Sequence, residues 1–373
     1  MPTSEASTYT DPATGREITQ LTSSDERSVH GYYDIPPWSP TTGQIAFSRI
    51  SKHGDVAAVC VMEEDGSDLR RLAESRAFSA NDGAMTQWSY DGARIYYKDR
   101  RDGQQLICWV DPRDGRTGSM PGSLRMLSPR APINAYHSGG AGSVMTDRVM
   151  LDHDNLGVFL QDLETGESKL VASIAQCIAL NPRRDEIDGW HVFTKHTKWS
   201  PDGERILFVF TNEGRNLKYI ENPRVKDIYT VNADGSGLRY VSSFYAHPIW
   251  HPNSRDILTN SFWQDETFQS FVLIDSATAE WRQASRAMIA WGHPSYSPDA
   301  TKMVVDFVPR PVGAATLELI DIPTGEIETL VQTRVRDHSH TGTHLHPVWS
   351  RDGTKVLYAS DAGGVAQLCA VGV

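Results

Sequence analysis

Only 4 of the 373 residues are cysteine, at Cys60, Cys108, Cys177 and Cys369, and no two of them form a C-x-x-C pair. That scatter excludes a zinc-knuckle reading and favours buried reduced thiols over a disulfide framework. No apolar run reaches about eighteen residues, so no membrane-spanning helix is expected. Met1 to Ser28 are polar and lack a basic stretch leading into an apolar one, which is not the pattern of a secretory signal; the expected location is cytoplasmic. Positive charge is short as well: 36 Lys and Arg stand against 47 Asp and Glu, a formal net charge of -11. A chain this acidic is poorly suited to tracking a nucleic-acid backbone, because each phosphate contact calls for a cation. A small anion held by a few local cations is compatible with the same balance.

What the chain does have is a repeat. An aromatic residue is followed by Ser-Pro-Asp-Gly or a worn version of it, one or two polar residues and a short β-rich run. Clear copies start at Trp38 (W-S-P-T-T-G-Q-I-A-F), Trp88 (W-S-Y-D-G-A-R-I-Y-Y), Trp199 (W-S-P-D-G-E-R-I-L-F), Trp250 (W-H-P-N-S-R-D-I-L-T), Tyr296 (Y-S-P-D-A-T-K-M-V-V) and Trp349 (W-S-R-D-G-T-K-V-L-Y). Successive anchors lie 50, 111, 51, 46 and 53 residues apart, and the long gap predicts one eroded copy near 142, over Gly142 to Leu151. A second phrase, two strands joined by an Asp-Gly or Thr-Gly turn, follows at Asp65-Gly66, Thr165-Gly166, Asp234-Gly235 and Thr324-Gly325. Glycine in such turns accepts positive φ, so each phrase predicts a hairpin.

Four short antiparallel strands per period of about 50 residues cannot bury their faces alone and must stack on neighbours. The expected fold is all-β: one seven-bladed propeller of four-stranded blades over residues 1–373, anchored near 38, 88, 142, 199, 250, 296 and 349. Tyr9 to Leu21 reads as a second phrase without its first, while the last period stops one strand short. The N-terminal strand is therefore expected to complete the last blade and close the ring, which hides an open sheet edge. Ser119 to Ser143 and Ala172 to Thr197 read as loops or decorations.

In such a blade the strand that enters the aromatic anchor lines the central channel. Three residues before the anchors stand Ile35 and Met85, then His196, His247, His293 and His346, four of the 13 histidines in the chain. Ring geometry turns that periodicity into convergence. A histidine there could also merely cap strand backbone, copied when the repeat was duplicated, but four of them at one equivalent position point to function. His344-x-His346 on an extended strand would project both rings to one face. With His293 from the adjacent blade they form a three-nitrogen set suited to Mn, Fe, Ni, Zn or Cu, with His338 or His340 able to complete it. The carboxylate pairs Asp265-Glu266 and Asp185-Glu186 read as solvated faces, and no G-x-S-x-G elbow marks a serine hydrolase.

These motifs resemble the oligogalacturonate lyase family, propeller enzymes that β-eliminate short pectin-derived uronides with manganese. The resemblance rests on His30-Gly31-Tyr32-Tyr33, Asn212-Glu213-Gly214, His247, His293 and His344-x-His346 in that order. It implies that His247 is catalytic, that His293, His344 and His346 hold Mn2+ or another divalent metal with His340 in support, and that His30, Tyr33 and His196 meet the substrate. The family's glutamine three residues before the His-x-His is Thr341 here, and its blade-four arginine falls at Asp227, with Arg215, Arg224 and Lys226 as the nearby cations. The implied partner is an acidic oligosaccharide, with no nucleic acid and no membrane; nothing in the sequence specifies an oligomer. Two other classes fit the same residues: a non-catalytic propeller binding a protein or sugar, and an isomerase, epimerase or hydrolase of acidic sugars.

Overall fold

The computed structural model of the chain describes residues 4–138, 152–188, 190–212, 224–243, 246–260, 270–289, 291–308, 313–336 and 342–373. Their seven antiparallel sheets are the blades of a seven-bladed β-propeller. Two compact units divide the chain, one of residues 1–124, 285–287 and 291–373, the other of residues 125–284 and 288–290.

The first unit carries four blades. Blade one is Arg27–Val29, Ile45–Ile50, Ala57–Met62 and Arg70–Ser75, and blade two is Gln87–Trp88, Ile95–Arg101, Gln104–Val110 and Thr117–Pro121. Blade six is Ser295–Tyr296, Lys302–Phe307, Ala314–Asp321 and Ile327–Arg334. Blade seven takes Val348–Trp349, Lys355–Ser360 and Gln367–Gly372 from the C-terminus and its fourth strand, Glu17–Gln20, from the N-terminus, with Ile18 opposite Val371. The closing strand is thus as expected, and Ser7–Thr10 adds a fifth strand outside it.

In the second unit, blade three is Met126–Leu127, Ile133–His137, Gly157–Asp162 and Ser168–Ser173. Blade four is Phe193–Trp199, Arg205–Thr211, Lys226–Asn232 and Arg239–Ser243, and blade five is Ala246–Trp250, Asp256–Asn260, Phe271–Asp275 and Trp281–Gln283. The helix Ile174–Leu180 follows blade three, started by a Ser173/Gln176 capping box that satisfies two end N–H groups. No helix among the described residues is long and apolar enough to cross a membrane.

The repeated phrase is a device for both turn and packing. In four copies the serine hydroxyl donates to the aspartate two residues on, at 2.6 Å in Ser89–Asp91, 2.5 Å in Ser200–Asp202 and 2.6 Å in Ser297–Asp299 and Ser350–Asp352. The aromatic anchor then reaches the preceding blade. Trp88 Nε1 donates to Pro37 O, Trp250 Nε1 to Lys198 O and Trp349 Nε1 to Ser295 O, at 2.9, 3.1 and 2.9 Å. Each acceptor is the carbonyl just before the neighbouring anchor.

That rule relocates the third anchor. Trp199 Nε1 donates to Met126 O at 3.2 Å, and Ser128 N–H closes the same turn on Ile133 O at 2.7 Å. The third phrase is therefore Leu127-Ser128-Pro129, with leucine in the aromatic place. The copy expected at 142–151 lies outside the described residues, and the described part of Ser119 to Ser143, residues 119–138, is not a loop, because it holds the end of blade two and the first two strands of blade three. All four cysteines are free and buried, and burial pushes the Cys60 and Cys369 thiols up to about 12.

The N-terminal segment is tied down by charge. Arg49, whose side chain is 3% exposed, makes a two-pronged contact with Glu5 at 2.9 and 2.8 Å and a third bond to Ser28 Oγ. Burial alone would raise the Glu5 pKa, yet the bonds from Arg49 and the Ser23 N–H hold it below the ordinary value. A carboxyl depressed in the folded state adds stability above its unfolded pKa and loses it as pH falls through the folded one. Glu5→Gln is expected to cost about 2 kcal/mol at neutral pH, less than a fully buried pair because Glu5 is partly exposed. Urea unfolding at neutral pH and in acid reads this: the gap from wild type should narrow in acid, and identical midpoints at neutral pH would remove the latch.

Candidate metal centre

Blades two, four, five and seven share a backbone irregularity on or just ahead of the first strand. In each, the residue three before the anchor has positive φ: Met85 at 54°, His196 and His247 at 53° and His346 at 46°. The pairing skips at the same place, between Lys195 and Lys198 against the second strand of blade four and between Ala246 and Ile249 in blade five. These are β-bulges, which bend a strand and re-aim one side chain. Histidine is one of the few residues enriched at positive φ, so the backbone gives a local reason for His196, His247 and His346, though not for His293. Pro248 and Pro347 suit the next position, which has no ladder partner for an N–H.

Within the first unit three histidines meet. One ligand atom each from His293, His344 and His346 lie within 4.8 Å of one another. Ring centroids are 4.5 Å apart for His293 and His346, 5.2 Å for His344 and His346, and 5.6 Å for His293 and His344. The reason differs from the one expected. His344 and His346 sit in irregular chain ahead of Val348–Trp349, and the left-handed backbone at His346, not alternation along a strand, brings the rings together.

The donors fit a divalent transition metal. Metal–nitrogen bonds of about 2.1 Å leave ligand nitrogens at most about 4.2 Å apart, so a small inward movement completes the grip. Asp306, 2% exposed, contacts His293 Nδ1 with both oxygens at 3.1 and 3.0 Å. Such a carboxylate behind an imidazole is the usual support of a metal-binding histidine. Asp82 Oδ1 stands 3.9 Å from His346 Nδ1. Neither Asp306 nor Asp82 was a candidate on sequence.

Aromatic rings wall the cluster. Tyr32 lies edge-on to His346 at 4.9 Å, and buried Tyr33 is 5.0 Å from His293. His30 is 2% exposed with its ring 6.5 Å from that of His346, and burial lowers its pKa to about 4, so it stands neutral behind the cluster.

The second unit carries the other expected site residues. His196 and His247 are half-buried on their bulges. Burial, then the charges of Lys195, Arg125 and Lys198, push His196 well below its ordinary pKa; burial, Arg125 and Lys195 lower His137 to about 3. Arg125 is 7% exposed and Lys198 3%. This cationic set was missed on sequence, although the word Lys195-His196-Thr197-Lys198 was its visible part. Arg224 and Lys226 enter the third strand of blade four. Asn212 Oδ1 brackets them by accepting from Val225 N–H at 3.0 Å, and Arg183 Nη1 donates to Arg224 O at 2.7 Å. Asp227 is held by Asn181 Nδ2 at 2.7 Å and raised to about 6 by burial, so it pins the helix-bearing segment. Arg215 and His340 lie outside the described residues.

A seven-bladed propeller with a three-imidazole cluster is the class these features define. No family profile matches the chain. An oligogalacturonide lyase of Pectobacterium atrosepticum is 27% identical over 157 residues, 37% of this chain and 40% of that protein, so the match spans under half of the relative's length. Among solved structures, an oligogalacturonate lyase from Vibrio parahaemolyticus superposes with a TM-score of 0.75 at 17% identity, covering 100% of this chain and 97% of that one. An oligogalacturonate lyase in complex with manganese gives a TM-score of 0.71 at 18% identity over 99% and 96% of the two chains. The resemblance is thus structural over the whole chain and weak in sequence.

Proposed function

We propose that this protein is a metal-dependent lyase that β-eliminates a short uronate-bearing oligosaccharide and releases a 4,5-unsaturated uronate. The observation that carries the reading is the His293, His344 and His346 cluster on a propeller whose fold relatives include an oligogalacturonate lyase in complex with manganese. Manganese is accordingly the proposed metal. A divalent cation supplies Lewis-acid stabilisation of the negative charge that builds on the uronate carboxylate.

The remaining chemistry belongs to side chains. Abstraction of the C5 proton needs a base with a free lone pair, and departure of the C4 oxygen is helped by a proton donor. His247 takes the base role, its neutral imidazole accepting the C5 proton and then able to return it to the leaving oxygen. Arg224, Lys226 and Arg215 neutralise the uronate as charge stabilisers; an arginine pKa above about 12 makes it a poor base. The cations around His196 favour the same acidic substrate, and Tyr33 shapes the floor beside His293. His30, being buried, acts through His346.

Elimination creates a C4=C5 double bond conjugated with the carboxylate, which absorbs in the ultraviolet, whereas hydrolysis, isomerisation and binding create none. Wild-type protein with manganese and oligogalacturonate is expected to raise ultraviolet absorbance, and prior chelation to abolish the rise. New reducing ends without absorbance would instead mark a hydrolase, and binding without either product a lectin-like propeller.

A further inference from the structure

We infer that Asp306 is a positioning residue that fixes the tautomer and aim of His293 and anchors the backbone at His346, and so sets metal affinity without touching the metal. The inference rests on the metal reading proposed above and concerns a residue on neither the His-x-His segment nor the chain leading into Tyr296.

Four contacts converge on this carboxylate. Oδ1 accepts from His293 N–H at 2.6 Å and lies 3.1 Å from His293 Nδ1. Oδ2 lies 3.0 Å from the same Nδ1 and accepts from His346 N–H at 3.3 Å. Two of the partners are backbone N–H groups, which can only donate, and they approach different oxygens. A carboxylate satisfies both by presenting an acceptor oxygen to each. Facing that acceptor, Nδ1 of His293 carries its proton, and Nε2 keeps the lone pair a metal needs.

The repeat shows that the residue type is special to this blade. Ala359 N–H bonds Leu345 O in blade seven, Lys98 N–H bonds Ala84 O in blade two, and Val209 and Asn260 pair with Lys195 and Ala246 in blades four and five. Each pair joins the residue four before the anchor to a fixed position on the second strand. In blade six those positions are Gly292 and Asp306. A carboxylate 2% exposed in the otherwise apolar stretch Met303–Phe307 is costly to bury unless hydrogen bonds compensate it, and here those bonds run to the two segments that carry the metal ligands.

Asp306→Asn is the decisive variant because it keeps shape and replaces one acceptor with a donor. If the amide oxygen accepts from His293 N–H, the NH2 group faces Nδ1 and His346 N–H; it donates to Nδ1 and drives the ring proton to Nε2. If the amide is flipped, the NH2 group opposes His293 N–H instead. Both arrangements misplace a donor. Manganese binding by calorimetry on the full chain is expected to weaken by about 10–100-fold, the usual effect of removing such a support. Long-range nitrogen–proton NMR of the imidazoles, without metal, is expected to find His293 protonated at Nδ1 in wild type, and at Nε2 in the variant when its NH2 group faces Nδ1. Wild-type affinity in Asp306→Asn, or His293 protonated at Nε2 in the wild type, overturns the inference while leaving the metal reading intact. Failure of wild type to bind manganese, zinc or nickel overturns the metal reading and this inference with it. Should Asp306→Asn fold poorly, the wild-type tautomer alone decides: His293 protonated at Nε2 overturns the assignment.

Discussion

Gly292→Ala is expected to abolish metal binding and to destabilise the protein by roughly 2–5 kcal/mol, the sum of left-handed strain and overpacking. Gly292 has φ of +69°, and a Cβ built there would lie 1.7 Å from Asp306 O and 2.5 Å from Asp306 Oδ1. The first of these is backbone in the middle of a paired strand, which cannot swing aside as a side-chain tip can. The second is the oxygen that receives His293 N–H. Relief of the clash therefore pushes the second strand of blade six and its carboxylate off the histidine. Gly103→Ala is the matched control, since Gly103 has φ of +80° with nothing within 4 Å of its virtual Cβ. It should show only the left-handed backbone cost of about 1–2 kcal/mol and retain full metal stoichiometry. Elemental analysis and urea unfolding of both variants decide the matter. A Gly292→Ala protein with wild-type metal content and stability would show that the two strands are not packed this closely.

The fold was legible because its signals are local. A Ser-Pro-Asp-Gly turn closes within six residues, and its chemistry survives even where glycine is lost: Ser254 and Ala300 occupy the glycine place and still adopt φ of 57° and 59°. The third blade escaped because leucine at 127 replaces the aromatic residue and Pro132 stands in the worn turn, so neither feature that advertises the other copies is present. The Trp199 indole on Met126 O and the Ser128 turn bond to Ile133 O reveal its register. The histidines were legible as a set because each stands three residues before an anchor, while the reason for their convergence was not, since φ at His346 cannot be read from alternation. Asp306 was hidden for a different cause. Its one trace is a lone acid inside Met303–Phe307, and sequence does not say whether such an acid faces solvent or a buried partner. The cations Arg125 and Lys198 were passed over because a net charge of -11 averages over a local surplus.

His247→Ala is expected to reduce elimination by about two to four powers of ten, the range for loss of a general acid–base, with metal content unchanged. The reasoning begins with the backbone. His247 and His346 occupy the same place in the repeat, at φ of 53° and 46°, each followed by proline, so left-handed backbone aims both rings. His346 is committed to the three-imidazole cluster, whereas His247 is not part of the metal-binding group found among the described residues. A histidine held by a strained bulge and left out of the ligand set is suited to moving a proton, because backbone strain of this kind persists where the side chain must be aimed. His293→Ala provides the contrast, since it removes a ligand and is expected to lose metal and activity together. The pair is read by ultraviolet turnover on oligogalacturonate alongside elemental analysis of the same preparations. If His247→Ala releases the metal, the residue is a ligand and not the proton carrier. If it leaves turnover unchanged, the proton passes through His196 or is handled at the Arg224 and Lys226 segment. A fall in kcat with KM and metal content preserved is the outcome that assigns His247 to the transition state, because an interaction made only there lowers kcat without weakening substrate binding.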